Sequence, residues 1–147
     1  MAIKTDAVGK VFPSSTYVVG TEKIREFAEA TFDTNPLSRD EDAAKAAGFD
    51  GLVAPPMFAV VYASKSLAPA MFDPDVEINF MMLVHGSQTL EFGAPVVAGD
   101  RISTTMSVKS IEQKGDKGFY VFASDSKNQN GDTVSTGDWT MIVRGVS

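Results

Sequence analysis

The sequence contains no cysteine and a single histidine. Without cysteine there is no disulfide framework, no thiolate nucleophile and no cysteine-ligated zinc. A lone His85 excludes a two-histidine metal site within one chain, and it leaves any imidazole base to be His85 itself or a group from another subunit. A basic surplus is also missing. Thirteen lysines and arginines stand against 19 aspartates and glutamates, for a net charge of -6. The chain therefore lacks the positive stripe that phosphate contacts need, and neither nucleic acid nor an anionic membrane is an expected partner. No run approaches the roughly 20 apolar residues of a membrane span. The opening "MAIKTDAVGK" has no apolar core of the kind an export signal carries, so a soluble, cytoplasmic protein is expected. No repeat, low-complexity tract or Gly/Ser-rich or Pro/Ser-rich linker interrupts the chain.

What is present describes one domain over residues 1–147: 44% hydrophobic and 22% charged residues suffice to bury a core of ordinary size. "GTEKIREFAEATF" places Ile24, Phe27, Ala28 and Thr31 on one helical face behind Thr21 as N-cap. "SRDEDAAKAAGF" offers Ser38 and Glu41 in the S-x-x-E capping arrangement, with Gly48 as a left-handed stop, which predicts a short second helix. "PPMFAVVYASKSLAPAMF" opens on Pro55 and Pro56 and is apolar on nearly every side until Lys65. That pattern predicts a helix from Pro55 to about Leu67 lying inside the structure.

After Pro74 the period falls to two. "VEINFMMLV", "SQTLEF", "RISTTMSVKSIEQ", "GFYVFASDSKN" and "DTVSTGDWTMIVRG" are β-rich runs separated by Gly-Asp, Lys-Gly-Asp-Lys-Gly and Asn-Gly-Asp turns. "KVFPSSTYVVG" near the start predicts one more strand. The expected fold class is α+β, an antiparallel sheet wrapped around a buried helix.

Five segments carry a resemblance. "VGKVFP", "KIREFAEAT", "NPLSRDEDAAKAAGFDGLVAPPMF", "HGSQTLEF" and "PVVAGDRI" follow in order the pattern of the hotdog-fold MaoC-like hydratases. The chain most closely resembles the branch known as FAS1-like or MaoC N-terminal dehydratase domains. The resemblance implies a hotdog fold, a homodimer or a heterodimer with a second hotdog subunit, no cofactor, and an acyl thioester of coenzyme A or acyl carrier protein as ligand. The (R)-specific hydratases of this superfamily carry an Asp and, five positions later, a His in the pattern D-x-N-P-L-H. Those two groups add water to a trans-2-enoyl thioester or remove it from the (R)-3-hydroxy form. Groups within hydrogen-bond reach must handle the α-proton and the β-hydroxyl, and N–H donors at the start of the central helix would hold the thioester enolate.

Carried over by position, Asp33 and Asn35 match the carboxylate and amide of that motif, while Ser38 stands where the His belongs. A serine hydroxyl is a very weak base unless another base activates it. Pro55 and Pro56 replace the family's His-Gly pair before the central helix and remove two backbone N–H groups, leaving Met57 and later amides as donors. "DTNP" is also a good turn sequence whatever its ancestry, and Ser38 is read as an N-cap rather than a catalytic group. The candidate catalytic residues are Asp33, Asn35 and His85; the candidate substrate-binding residues are Pro55, Pro56, Met57, Phe58 and Tyr62. Asp100 is read as part of a turn. Met71, Phe72, Phe80, Met81 and Met82 are assigned with Met57, Phe58 and Tyr62 mostly to the core, although such side chains can also line an acyl tunnel.

Three functions follow. The chain is the acyl-binding subunit of a heteromeric (R)-3-hydroxyacyl-thioester dehydratase in which a second hotdog supplies the Asp and His, a self-sufficient homodimeric hydratase using Asp33, Asn35 and His85, or a non-catalytic acyl-CoA-binding module.

Overall fold

The structure, a computed structural model, describes residues 2–147. A short strand β1 (Ser15–Val18) leads into helix α1 (Thr21–Ala30). A 3-10 turn at Pro36–Ser38 and helix α2 (Glu41–Ala46) follow. A second 3-10 turn, Pro56–Phe58, runs directly into α3 (Ala59–Met71). After a third turn at Phe80–Met82 come β2 (Leu83–Phe92), β3 (Arg101–Lys114), β4 (Lys117–Lys127) and β5 (Thr133–Arg144).

The five strands form one antiparallel sheet in the order β1-β3-β4-β5-β2. Burial alternates along β3 and β4, as expected where one face of a pleated strand meets a core and the other meets water. The buried face receives α3, which lies across β1, β3 and β4. Phe58, Tyr62, Ala63, Leu67 and Ala70 on the helix side meet Ile102, Met106, Phe122 and Met141 on the sheet side. Each large apolar side chain sealed in this seam contributes roughly 1.5–3 kcal/mol. Phe58 is wholly buried, with its ring edge-on to Phe27 at 5.5 Å and to Tyr17 at 6.1 Å. The α+β class and the wrapped helix are therefore as the sequence predicts.

Local details differ. The N-cap of α1 is Gly20 rather than Thr21, and no side chain caps that end. Asp40, not Ser38, caps α2: its side chain accepts from the amides of Asp42 and Ala43 at 2.9 and 3.4 Å. Gly48 stops that helix at φ +94°, as expected of a left-handed C-terminal residue. The run "VEINFMMLV" does not form a strand until Leu83. Asp73 and Asn79 instead turn the chain through side-chain bonds to the amides of Asp75 and Met81, local side-chain-to-backbone bonds that compete with strand pairing. Phe72, Phe80, Met81, Met82 and Met57 are not core residues; Met81 is 90% and Phe72 69% exposed. Phe72 and Phe80 stack on each other at the surface with ring centres 4.3 Å apart.

Candidate active site

The site begins where α1 stops. Phe32 adopts φ +57°, and the Asp33 amide returns to the Ala28 carbonyl at 2.8 Å. The Asp33 carboxylate then accepts the Asn35 amide at 2.9 Å, and Asn35 Oδ1 accepts the Leu37 amide at 3.0 Å. Both are local side-chain-to-backbone bonds of the kind that make Asp and Asn turn formers. The Arg39 side chain reaches back to donate to the Asp33 carbonyl through Nε at 2.5 Å and to the Ala28 carbonyl through Nη2 at 3.4 Å. Two further bonds fasten this turn to the segment before α3. The Val53 amide donates to the Leu37 carbonyl at 2.8 Å, and the Ser38 hydroxyl donates to the Val53 carbonyl at 2.6 Å. Bonds from the Ala54 amide to the Val96 carbonyl and from the Ala98 amide to the Leu52 carbonyl tie the same segment to the loop between β2 and β3.

These links enclose a cavity of about 300 Å3. Asp33, Asn35 and Ser38 form one wall, Val53 to Pro56 with Tyr62 a second, and Phe92 to Val96 a third, with Val134 behind. Asn35, Pro56 and Phe92 are exposed at its mouth. Ser38, Tyr62 and Val134, each no more than 3% exposed, form its inner end. Asp33 keeps one carboxylate oxygen engaged with Asn35, and the other makes no hydrogen bond within the described residues. At the start of α3, Pro55 and Pro56 offer no N–H, while the amides of Phe58 and Ala59 are taken by the carbonyls of Pro55 and Pro56. The Met57 amide, the first N–H after the two prolines, has no acceptor among the described residues. Tyr62 donates to Ser135 Oγ at 2.8 Å. Burial pushes its phenol up from the ordinary value against the opposing pull of that bond, so it holds its proton at neutral pH.

The structure brings Asp33, Asn35, Pro55, Pro56 and Tyr62 around one cavity. It does not bring the remaining candidates there. The Met57 side chain is 49% exposed outside the cavity, and Phe58 is core. His85 lies on β2, exposed, with Nε2 3.1 Å from the Ser87 carbonyl and its ring parallel to that of Trp139 at 6.0 Å. The sequence reading leaves Ser38 out of the site, yet Ser38 lines the cavity. It also passes over "FGAPV", the break between β2 and β3 whose Gly-Ala-Pro run signals a loop. Asp100 stands in its turn, accepting from the Val97 amide and from Gln129, each at 2.9 Å.

Residues 6–137 match the family model described as FAS1-like, dehydratase domain region. A UPF0336 protein of Leifsonia xyli subsp. xyli is 41% identical over 133 residues, which cover 90% of this chain and 89% of that protein. A UPF0336 protein of Saccharopolyspora erythraea is 36% identical over 148 aligned residues, covering 100% of this chain and 95% of that one. Among solved structures, a chain of the C-terminally truncated HadBC (3R-hydroxyacyl-ACP dehydratase) complex from Mycobacterium tuberculosis superposes with TM-score 0.83 at 30% identity, over 95% of this chain and 99% of that one. The R-hydratase PhaJ1 of Pseudomonas aeruginosa, at 23% identity and TM-score 0.73 over 95% and 83% of the two chains, shares the fold. The sheet wrapped around α3 is thus a hotdog fold, and the chain belongs to the FAS1-like dehydratase domain family.

Proposed function

We propose that this chain is the acyl-thioester-binding subunit of an (R)-3-hydroxyacyl-thioester dehydratase, with a second hotdog subunit supplying the imidazole. One observation carries the reading: at the place where the resemblance expects histidine, the Ser38 hydroxyl is bonded to the Val53 carbonyl. The cavity thus holds a carboxylate and no imidazole. The resemblance to a subunit of a two-chain dehydratase supports the same division of labour.

In this reading the acyl group enters between Asn35 and Phe92, and its thioester oxygen faces the Met57 amide. That amide stabilises the negative charge that develops when the α-proton leaves. The free oxygen of Asp33 accepts a hydrogen bond from the departing or attacking water. The partner's imidazole takes the α-proton and returns it to the β-hydroxyl as that group leaves as water. This acid–base chemistry draws on side chains and amides alone.

The test is hydration of crotonyl-CoA, followed by loss of enoyl-thioester absorbance, with the purified chain alone and mixed with a hotdog subunit that carries D-x-N-P-L-H. Binding without turnover by the chain alone and turnover by the mixture is the expected result. Turnover by the chain alone that disappears in His85→Ala would instead establish a self-contained homodimer. Binding with no turnover in either arrangement would establish a non-catalytic module.

A further inference from the structure

We infer that the cavity accepts a short acyl chain, and that Tyr62, tethered to Ser135, sets the limit. The inference rests on the reading that the cavity holds an acyl thioester. Its basis is a row of hydroxyls that crosses the sheet directly behind the cavity's inner end. Ser15 on β1 is the cross-strand partner of Thr104 on β3, Thr104 of Ser126 on β4, and Ser126 of Ser135 on β5. On β2 the row ends at Phe92, the partner of Ser135 and a residue of the cavity mouth.

Each hydroxyl of the row is paired, either with its neighbour or with a side chain of α3. Thr104 and Ser126 share a 2.7 Å hydrogen bond, and Ser66 on α3 bonds the Ser15 hydroxyl while donating to the Thr104 carbonyl at 2.9 Å. Tyr62 closes the row by donating to Ser135. Thr104, Ser126 and Ser135 are each no more than 1% exposed. Buried hydroxyls are tolerated where they are hydrogen-bonded and costly where they are not.

An alkyl chain entering at Phe92 meets the Tyr62 ring and Val134. To pass further it must swing Tyr62 aside, which breaks the bond to Ser135 and lays methylenes against a hydroxyl they cannot satisfy. Leaving one buried hydrogen bond unmade lowers affinity by roughly tenfold. The cavity volume of about 300 Å3 lies at the lower end of ligand pockets. Elsewhere the same sheet face is lined by Met106, Phe122 and Met141, so its polarity is concentrated where a longer tail would have to run.

The experiment is calorimetric titration of the purified chain with crotonyl-CoA, trans-2-octenoyl-CoA and trans-2-dodecenoyl-CoA, with free coenzyme A as baseline. Crotonyl-CoA is expected to bind above that baseline, and dodecenoyl-CoA at least about tenfold more weakly. Tyr62→Ala should close the gap. Tyr62→Phe, which keeps the ring and so protects the fold while removing the tether, should narrow it. Equal affinity for all three thioesters overturns this inference alone and routes the tail outward along the exposed face of Phe92. A gap that persists in both variants overturns the role of Tyr62. Binding of none of the thioesters above coenzyme A overturns the inference together with the function on which it rests.

Discussion

The sheet ends on one side in β1, four residues long, and on the other in β2, ten residues long. At the first edge the chain closes its own border. Pro13 precedes the strand, and Lys65 reaches across from α3 to donate to the Thr16 carbonyl at 2.9 Å. Short length, proline and lysine are devices that blunt a sheet edge against unwanted pairing. The second edge has neither lysine nor proline over "LVHGSQTLEF", only a bulge between His85 and Ser87 and the charge of Glu91. Val84 and Phe92 are 44% and 51% exposed along it. The Gln88 carboxamide, with both polar atoms buried on this strand, has no hydrogen-bond partner among the described residues. One sheet thus carries an edge finished within the chain and an edge suited to receive another strand, and the site cavity opens beside the second through Phe92.

That contrast can be tested by disturbing each edge in turn. The largest effect should come from Gly137→Ala. A Cβ there would stand 2.5 Å from the backbone carbonyl oxygen of Thr89 and 2.7 Å from Leu90, so β2 would have to draw away from β5. A loss of roughly 2–3 kcal/mol in urea unfolding is expected, with loss of any complex formed through β2. Next comes Val84→Lys, which adds a charge to the open edge. It should weaken association with a hotdog partner by at least about tenfold in sedimentation, while the fold changes by less than about 0.5 kcal/mol. Equal association would mean that the partner docks elsewhere. The smallest effect is expected from Lys65→Ala, which removes one exposed bond at the finished edge: about 0.5 kcal/mol in thermal unfolding. New self-association of this variant would show that Lys65 guards the edge as well as bonding it.

The strands β3 and β4 are readable in the sequence because they alternate along most of their length, and β5 because it is a β-rich run that follows the Asn-Gly-Asp turn. The start of β2 is not, since "VEINFMMLV" alternates through Val76, Ile78 and Phe80 as a strand would, while the turns there depend on Asp73 and Asn79 bonding nearby backbone amides. Among the site residues, Asp33 and Asn35 stand out through their turn chemistry and the motif. Ser38 does not, because its partner, the Val53 carbonyl, is fifteen positions away, and a local S-x-x-E pattern points to a cap that Asp40 in fact provides. Phe58 reads as a pocket residue only until the packing shows its ring enclosed by Phe27, Tyr17 and Tyr62. The hydroxyl row across four strands leaves no mark in the sequence at all, because its members are drawn together by register alone.

The bond between Ser38 and Val53 also bears on how such a chain can change. The position that would host a catalytic imidazole is occupied by a hydroxyl holding two segments of backbone together. Substituting histidine there removes that donor and strands the half-buried Val53 carbonyl, at a cost of roughly 1–3 kcal/mol. The Pro55 and Pro56 positions would still withhold their amides. If the partner supplies the imidazole as proposed, gain of catalysis by single substitutions would pass first through a less stable protein that is no more active. A division of labour of the kind proposed would resist reversal.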